Sequence, residues 1–405
     1  MLTRFRARGF KSLVDLEVEF PRLTVLFGPN ASGKSNIIEA AQLLSAMGTS
    51  RTLADAFGEA VRGYPVEAFT LPGEGLPALL AEPHARLSIE AQLAVDADEY
   101  TYRVGVETRP AAGNLKVCDE FLLRHGYNRA PRIEVDDGQV YVRAEHRGRP
   151  AGEPLGNYTK LSDRRLSGSS HRTIERCRAE FEDWRVYYLD PRTAMREAHP
   201  PAEVRDIGAT GAQIAPYLHR LSIEEPQRFD AVRRTLRALI PSIEDLTVDL
   251  DDKRGELDIQ ICQEGCEYSS RIISEGTLRV LALCAIAVNP WAGSLVAFEE
   301  PENGVHPRRL ELIAELLVSL ASEQDRQVIV TTHSARFCGA VLRLTRDRRD
   351  DCAVMSVGRQ EGETRARPVE FADSLFEDSE LLRELSSPTE DGVFEGLLLR
   401  GMLDE

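Results

Sequence analysis

A chain of 405 residues with a formal net charge of −16 is long enough for two or three domains, and too acidic to hold nucleic acid by overall charge, since phosphate neutralisation drives such binding. No run approaches the ~18 apolar residues that mark a bilayer span, and the opening residues carry no signal-peptide core, so a soluble cytoplasmic protein without a membrane partner is expected. The seven cysteines are scattered; Cys262 and Cys266 lack a second pair, which favours reduced thiols over a zinc site.

The first 45 residues predict strand, turn, strand, loop and helix. Residues 23–27, Leu-Thr-Val-Leu-Phe, are a short apolar β-rich run, and residues 36–44 have helical periodicity. Between them Gly28-Pro-Asn-Ala-Ser-Gly-Lys34-Ser35 fits G-x-x-x-x-G-K-[ST]. Strand, glycine-rich turn and helix start are what a phosphate-binding loop requires. Its backbone N–H groups wrap the β-phosphate, Lys34 reaches the β- and γ-oxygens, and the Ser35 hydroxyl ligates Mg²⁺. The spacing therefore predicts binding of a nucleoside triphosphate.

Further along, residues 87–95, 100–106, 117–123 and 132–142 alternate as β-strands, the last around an Asp136-Asp137-Gly138 turn. The strip from Lys160 to Arg178 carries Lys160, Arg164, Arg165, Arg172, Arg176 and Arg178 against only Asp163 and Glu175. It reads first as a solvated helix face, because no aromatic residues interleave the charges, and it is the best local route to DNA. A helix at 173–184 leads into a strand at 186–189. Residues 227–240 predict a helix with Phe229, Val232, Leu236 and Leu239 on one face, followed by strands at 246–250 and 256–262. No repeat and no sustained heptads occur, which excludes a long coiled-coil arm.

Four motifs follow in order. Ser274-Glu-Gly276 opens an apolar helix from Leu278 to Val288; a hydroxyl and free N–H groups at a helix start suit a γ-phosphate, although alone they make an ordinary N-cap. The apolar strand at 294–298 ends in Glu299-Glu300-Pro-Glu302, carboxylates at a parallel-sheet edge where ligands bind. Mg²⁺ needs hard oxygen ligands and hydrolysis needs an oriented water, so Glu299 is assigned to the metal and Glu300 to the water. Asn303-Gly-Val-His306-Pro307 begins an amphipathic helix at 308–321. The buried-type strand at 327–332 ends in His333, which is expected to sense the γ-phosphate.

Taken in this order, the motifs resemble the RecF/SMC/OLD-type branch of ABC ATPases. Arg8-Gly-Phe-Lys-Ser-Leu13 is similar to that branch's opening strand, Gly28 to Asn36 to its Walker A, Ser274 to Arg279 to its signature, Glu299 to Pro307 to its Walker B and D-loop, and His333 to its switch histidine. The resemblance implies an α/β fold: a P-loop NTPase with an ABC-type nucleotide-binding domain and a β-rich insertion. It implies ATP and Mg²⁺ as cofactors, with Asn30, Gly33, Lys34, Ser35, Asn36, Ser274 and Gly276 binding nucleotide, Ser35 and Glu299 on the metal, and Glu300 and His333 catalytic. It further implies a homodimer, or a higher assembly, with two ATPs held between Walker A of one copy and the signature of the other.

This chain also departs from the branch. No Gln follows the strand before Asp190-Pro191, so the Q-loop role is unassigned, and Glu299 stands where Asp is usual. Arg51 falls near the position of the SMC-type arginine loop. The expected division is a core lobe at 1–45, an insertion at 46–180, a second lobe at 181–370 and an acidic segment at 371–405. The stretch from Glu370 onward holds eleven acids against Arg383 and Arg400, and could dock a partner. With no metal-nuclease domain after the core, the leading expectation is an ATPase gating a separately encoded effector, such as a nuclease, in anti-phage defence. The alternatives are a RecF-like repair ATPase stimulated by DNA, and an ATP-dependent scaffold with little turnover.

Overall fold

The computed structural model describes residues 1–126, 130–145, 150–324 and 326–369. The chain forms two units, one of residues 1–184 with 353–369, the other of residues 185–352.

The first unit opens with a hairpin, β1 (Leu2–Phe10) and β2 (Leu13–Glu19), turned at Lys11, whose φ is 47°. Arg8 lies opposite Asp15 in the register, and Arg6 and Arg8 both pair with that carboxylate. Next comes β3 (Leu23–Phe27), buried along its whole length. A strand apolar on both faces belongs inside a covered sheet. Helix α1 (Lys34–Thr49) follows Gly33, which sits at φ 101°. A reciprocal capping box between Thr52 and Asp55 starts α2 (Leu53–Ala60), and α3 (Leu76–Ala81) is short.

An antiparallel run then forms: β4 (Ala85–Val95), β5 (Asp98–Arg109), β6 (Asn114–Arg124), β7 (Ile133–Asp136), β8 (Gln139–Val142) and the two-residue β9 (Glu153–Pro154). The β7–β8 turn is Asp137-Gly138, both at positive φ, the two-residue geometry that Asp-Gly favours. These strands share one sheet with the N-terminal hairpin, in the order β2-β1-β4-β5-β6-β7-β8-β9. The β-rich stretch is thus continuous with β1. Helix α4 (Arg172–Glu182) covers this unit's core, with Phe181 between Tyr102 and Trp184 at centroid distances of 5.5 and 4.9 Å.

The second unit begins with β10 (Trp184–Tyr187), about two residues ahead of the sequence expectation. Tyr188 and Asp190 leave the strand because their N–H groups donate to the carbonyls of Ala209 and Thr210. Helices α5 (Ile214–Glu224) and α6 (Pro226–Leu239) follow, α6 burying Val232, Leu236 and Leu239. A three-stranded meander has β11 (Ile243–Asp251), β12 (Glu256–Gln263) and β13 (Cys266–Ser269). Leu257, Ile259 and Ile261 alternate inward along β12, as period two requires.

Helix α7 (Glu275–Ala287) is apolar nearly all round and buried accordingly. Strand β14 (Leu295–Glu299) pairs in parallel with β15 (Gln327–Thr332), with α8 (Leu310–Glu323) as the crossover. Helix α9 (Ala335–Leu344) starts from a Ser334 cap. The chain then returns to the first unit as a hairpin, β16 (Cys352–Gln360) and β17 (Glu363–Pro368), with β16 beside β3. No helix among the described residues is long and apolar enough to cross a membrane.

Candidate functional site

In the first unit, β3 ends directly in the phosphate loop. Ala31 at φ 64° and Gly33 at φ 101° turn its backbone, the kind of left-handed steps that gather N–H groups into an anion-binding concavity. Lys34, buried at the start of α1, donates its ammonium to the carbonyls of Gly28 and Pro29 at 2.7 and 2.8 Å. The Ser32 hydroxyl is buried with no hydrogen-bond partner. An orphaned buried hydroxyl inside a left-handed loop with a lysine over it fits a polyphosphate, the group for which the loop was read.

Asn30 is exposed at the loop's tip, and Ser35 is partly exposed on the first turn of α1. Asn36 lies behind the loop, donating its amide to the Ser12 hydroxyl at 2.8 Å. Arg51 is exposed just beyond α1.

In the second unit, β14 delivers Glu299 as its last residue and Glu300 immediately after it. Glu300 has φ 44°, and its N–H donates to the Thr331 carbonyl at 3.0 Å and to the Thr331 hydroxyl at 3.2 Å. The neighbouring strand therefore fixes where its side chain departs. One Glu300 oxygen accepts the Asn303 amide at 2.5 Å, and the other lies 3.3 Å from His333 Nδ1. Glu302 is buried instead: one oxygen accepts the Thr332 hydroxyl, the other has no partner, and burial raises its pKa. The two acids that follow the strand thus divide into a partly exposed, directed Glu300 and a sequestered Glu302.

Ser274 caps α7 by accepting the Thr277 N–H at 3.1 Å. Gly276 has no room for a side chain, because a Cβ would lie 2.3 Å from the Gly304 carbonyl. The stretch before Ser274 is held by a residue that carried no sequence signal. Arg196 donates to the carbonyls of Ser270, Arg271 and Ile273 at 2.9, 2.6 and 2.6 Å, and to the Pro191 carbonyl at 2.8 Å. Asp190 accepts N–H groups from Arg192 and Thr193 and so shapes the turn that presents Arg196. Glu275 pairs with Arg192 at 3.2 Å.

The basic strip is largely spoken for. Lys160 pairs with Glu153, Arg164 with Glu182, Arg165 with Asp163 and Arg176 with Asp98. Arg178 is buried and donates to the carbonyls of Asp163 and Leu166. Most of its positive charge is compensated locally. The acidic stretch expected to dock a partner lies outside the described residues.

A family model described as "AAA domain, putative AbiEii toxin, Type IV TA system" matches residues 23–338. The chain belongs to that family. The match runs from β3 through the phosphate loop, Ser274, Glu300 and His333 of this AAA domain, and stops short of β16 and β17. DNA replication and repair protein RecF of Lactobacillus delbrueckii is 41% identical over 63 residues, and RecF of Magnetococcus marinus 39% over 74 residues. The chain spans under a fifth of the length of these curated relatives.

Among solved structures, the Smc head bound to the C-winged helix domain of ScpA matches with a TM-score of 0.54 at 15% identity, over 92% of this chain and 99% of that one. The Smc head from Pyrococcus furiosus with an extended coiled coil, bound to the C-terminal domain of ScpA, also gives 0.54 at 13% identity, over 94% and 99%. The fold is that of an SMC head, and the AAA domain is similar to RecF/SMC-like, ABC-type P-loop ATPases.

Proposed function

We propose that this chain binds ATP with Mg²⁺ and hydrolyses it, dimerising so that each nucleotide lies between the phosphate loop of one copy and the Ser274 segment of the other. The observation that carries the reading is the setting of Glu300. A non-glycine residue in the left-handed region costs of order 1–3 kcal/mol, and here that conformation goes with a carboxylate held by Asn303 and flanked by His333. A side chain held in this way suits orienting one water for attack.

In this reading Lys34 and the backbone from Asn30 to Ser35 cradle the phosphates. Ser35 and Glu299 hold the metal, Glu300 orients and deprotonates the water, and His333 senses the γ-phosphate beside it. Asn36 serves by bracing the loop from behind. Bound Mg²⁺ supplies charge neutralisation on the phosphate oxygens.

Equilibrium ATP binding and turnover test this. Lys34→Ala should abolish binding. Glu300→Gln should bind ATP and lose ~10²–10⁴ in rate; full turnover in that variant would refute the assignment.

The finer reading is that ATP-driven closure gates a separately encoded effector, such as a nuclease, in bacterial anti-phage defence in the cytoplasm. It is supported by the family's description, "putative AbiEii toxin, Type IV TA system", and by the ScpA domain bound to the Smc-head neighbours. Phage challenge of cells carrying the chain with its neighbouring genes tests it: protection that survives Glu300→Gln unchanged would count against ATP gating. The RecF-like alternative predicts turnover stimulated by DNA, and the compensated strip offers it little free charge.

A further inference from the structure

Gly28 and Gly33, the two glycines of the phosphate-loop motif, both face the C-terminal hairpin. A Cβ on Gly28 would lie 2.1 Å from the Val357 carbonyl of β16, and one on Gly33 would lie 1.9 Å from the Thr364 hydroxyl of β17. Thr364 is 2% exposed. Its hydroxyl is 3.1 Å from the Ser32 carbonyl and 2.6 Å from the Ser12 hydroxyl. The loop therefore has a rear wall supplied by chain that follows it by more than 300 residues.

The donors can be assigned. A hydroxyl has one hydrogen, and a carbonyl only accepts. Thr364 must give its hydrogen to Ser32, so Ser12 donates to Thr364, and Ser12 in turn accepts from the Asn36 amide at 2.8 Å. The result is a one-way chain, Asn36 to Ser12 to Thr364 to the Ser32 carbonyl. The Thr364 N–H, donating to the Ser12 carbonyl at 2.8 Å, locks the strand to the same turn.

The Ser32 carbonyl shares a planar trans peptide with the Gly33 N–H, so the two point in opposite directions. Holding the carbonyl to the rear aims that N–H forward, into the face that would meet phosphate. We propose that Thr364 is a positioning residue of the phosphate loop, setting the Gly33 N–H through the Ser32 carbonyl, with Ser12 and Asn36 as its support. Both Ser12 and Thr364 lie outside the residues matched by the family model. The inference rests on the reading of the loop as a nucleotide site.

The test uses the full chain and Mg²⁺-ATP, measuring affinity by calorimetry and the melting temperature without nucleotide. Thr364→Val keeps the shape and leaves the buried Ser32 carbonyl unpaired; ATP affinity should fall about tenfold, and Thr364→Ser should restore it. Ser12→Ala should weaken binding by a smaller factor in the wild-type background and by none in the Thr364→Val background. A purely structural role would lower the melting temperature and leave the affinity of the folded protein unchanged.

Affinity within twofold of wild type in Thr364→Val, no rescue by Thr364→Ser, or additive effects of the two substitutions would overturn the proposal. If Thr364→Val fails to fold, Thr364→Ser and Ser12→Ala decide: wild-type affinity in the first and loss in the second support it, and any other pair of results overturns it. Wild-type binding in Lys34→Ala would instead defeat the nucleotide-site reading itself.

Discussion

The carboxyl of Glu120 is a perturbation that pH applies by itself. It sits on β6 at 1% exposure and accepts the Lys160 N–H at 2.7 Å, the Leu161 N–H at 2.9 Å and the Tyr102 hydroxyl at 3.2 Å. The segment it binds is tied through the Thr159 hydroxyl to the Met47 carbonyl, in the last turn of the helix that begins at Lys34. Burial pushes the Glu120 pKa up from 4.5 to about 7, against the pull of the backbone donors. Between those values the folded chain keeps a proton that the unfolded chain has lost. The stabilisation is therefore complete below pH 4.5, falls as pH rises, and is gone above about 7. At 1.36 kcal/mol per unit the span is about 3 kcal/mol.

Urea unfolding between about pH 5 and pH 8, followed by Trp184 fluorescence in a Trp291→Phe background, reads this core directly, because Trp184 packs on Phe181. Wild type should lose about 2–3 kcal/mol across that range, and Glu120→Gln should lose much less. The slope is the readout, since Gln sets an NH₂ group against an N–H and lowers stability at every pH. Parallel pH profiles for the two proteins would refute the burial argument.

Two further outcomes concern the proposed composite site. Arg196→Ala removes three hydrogen bonds to carbonyls before Ser274 and one to the Pro191 carbonyl, so turnover should fall at least tenfold, by an order-of-magnitude allowance for one to two charged hydrogen bonds; ATP affinity should stay within about threefold, and unchanged turnover would show that the segment needs no brace. Ser274→Arg and Lys34→Ala should each be inactive alone, while their mixture should recover part of the wild-type rate through heterodimers with one intact composite site. Absence of recovery, with dimers demonstrated, would count against the sandwich.

What the sequence determines by itself is local. The strand, loop and helix from Leu23 to Leu44 follow from apolar runs and glycine spacing over a few consecutive positions, as do the inward alternation of Leu257, Ile259 and Ile261 and the Asp137-Gly138 turn. The order of motifs from Gly28 to His333 was enough to recognise the family. What only the tertiary structure decided is which distant groups meet. The strip from Lys160 to Arg178 shows an excess of charge in the sequence because its neutralising partners lie outside it, Asp98 on β5, Glu153 on β9 and Glu182 at the end of α4. Arg196 and Glu120 carry no local signal, because the carbonyls that Arg196 holds and the N–H groups that Glu120 accepts lie tens of residues away. Thr364 reaches Ser12 across 352 residues. Periodicity describes one element at a time, whereas a hydrogen bond between such residues exists only after sheet pairing and loop closure have fixed both ends, which is why the rear wall of the phosphate loop became visible only in the folded chain.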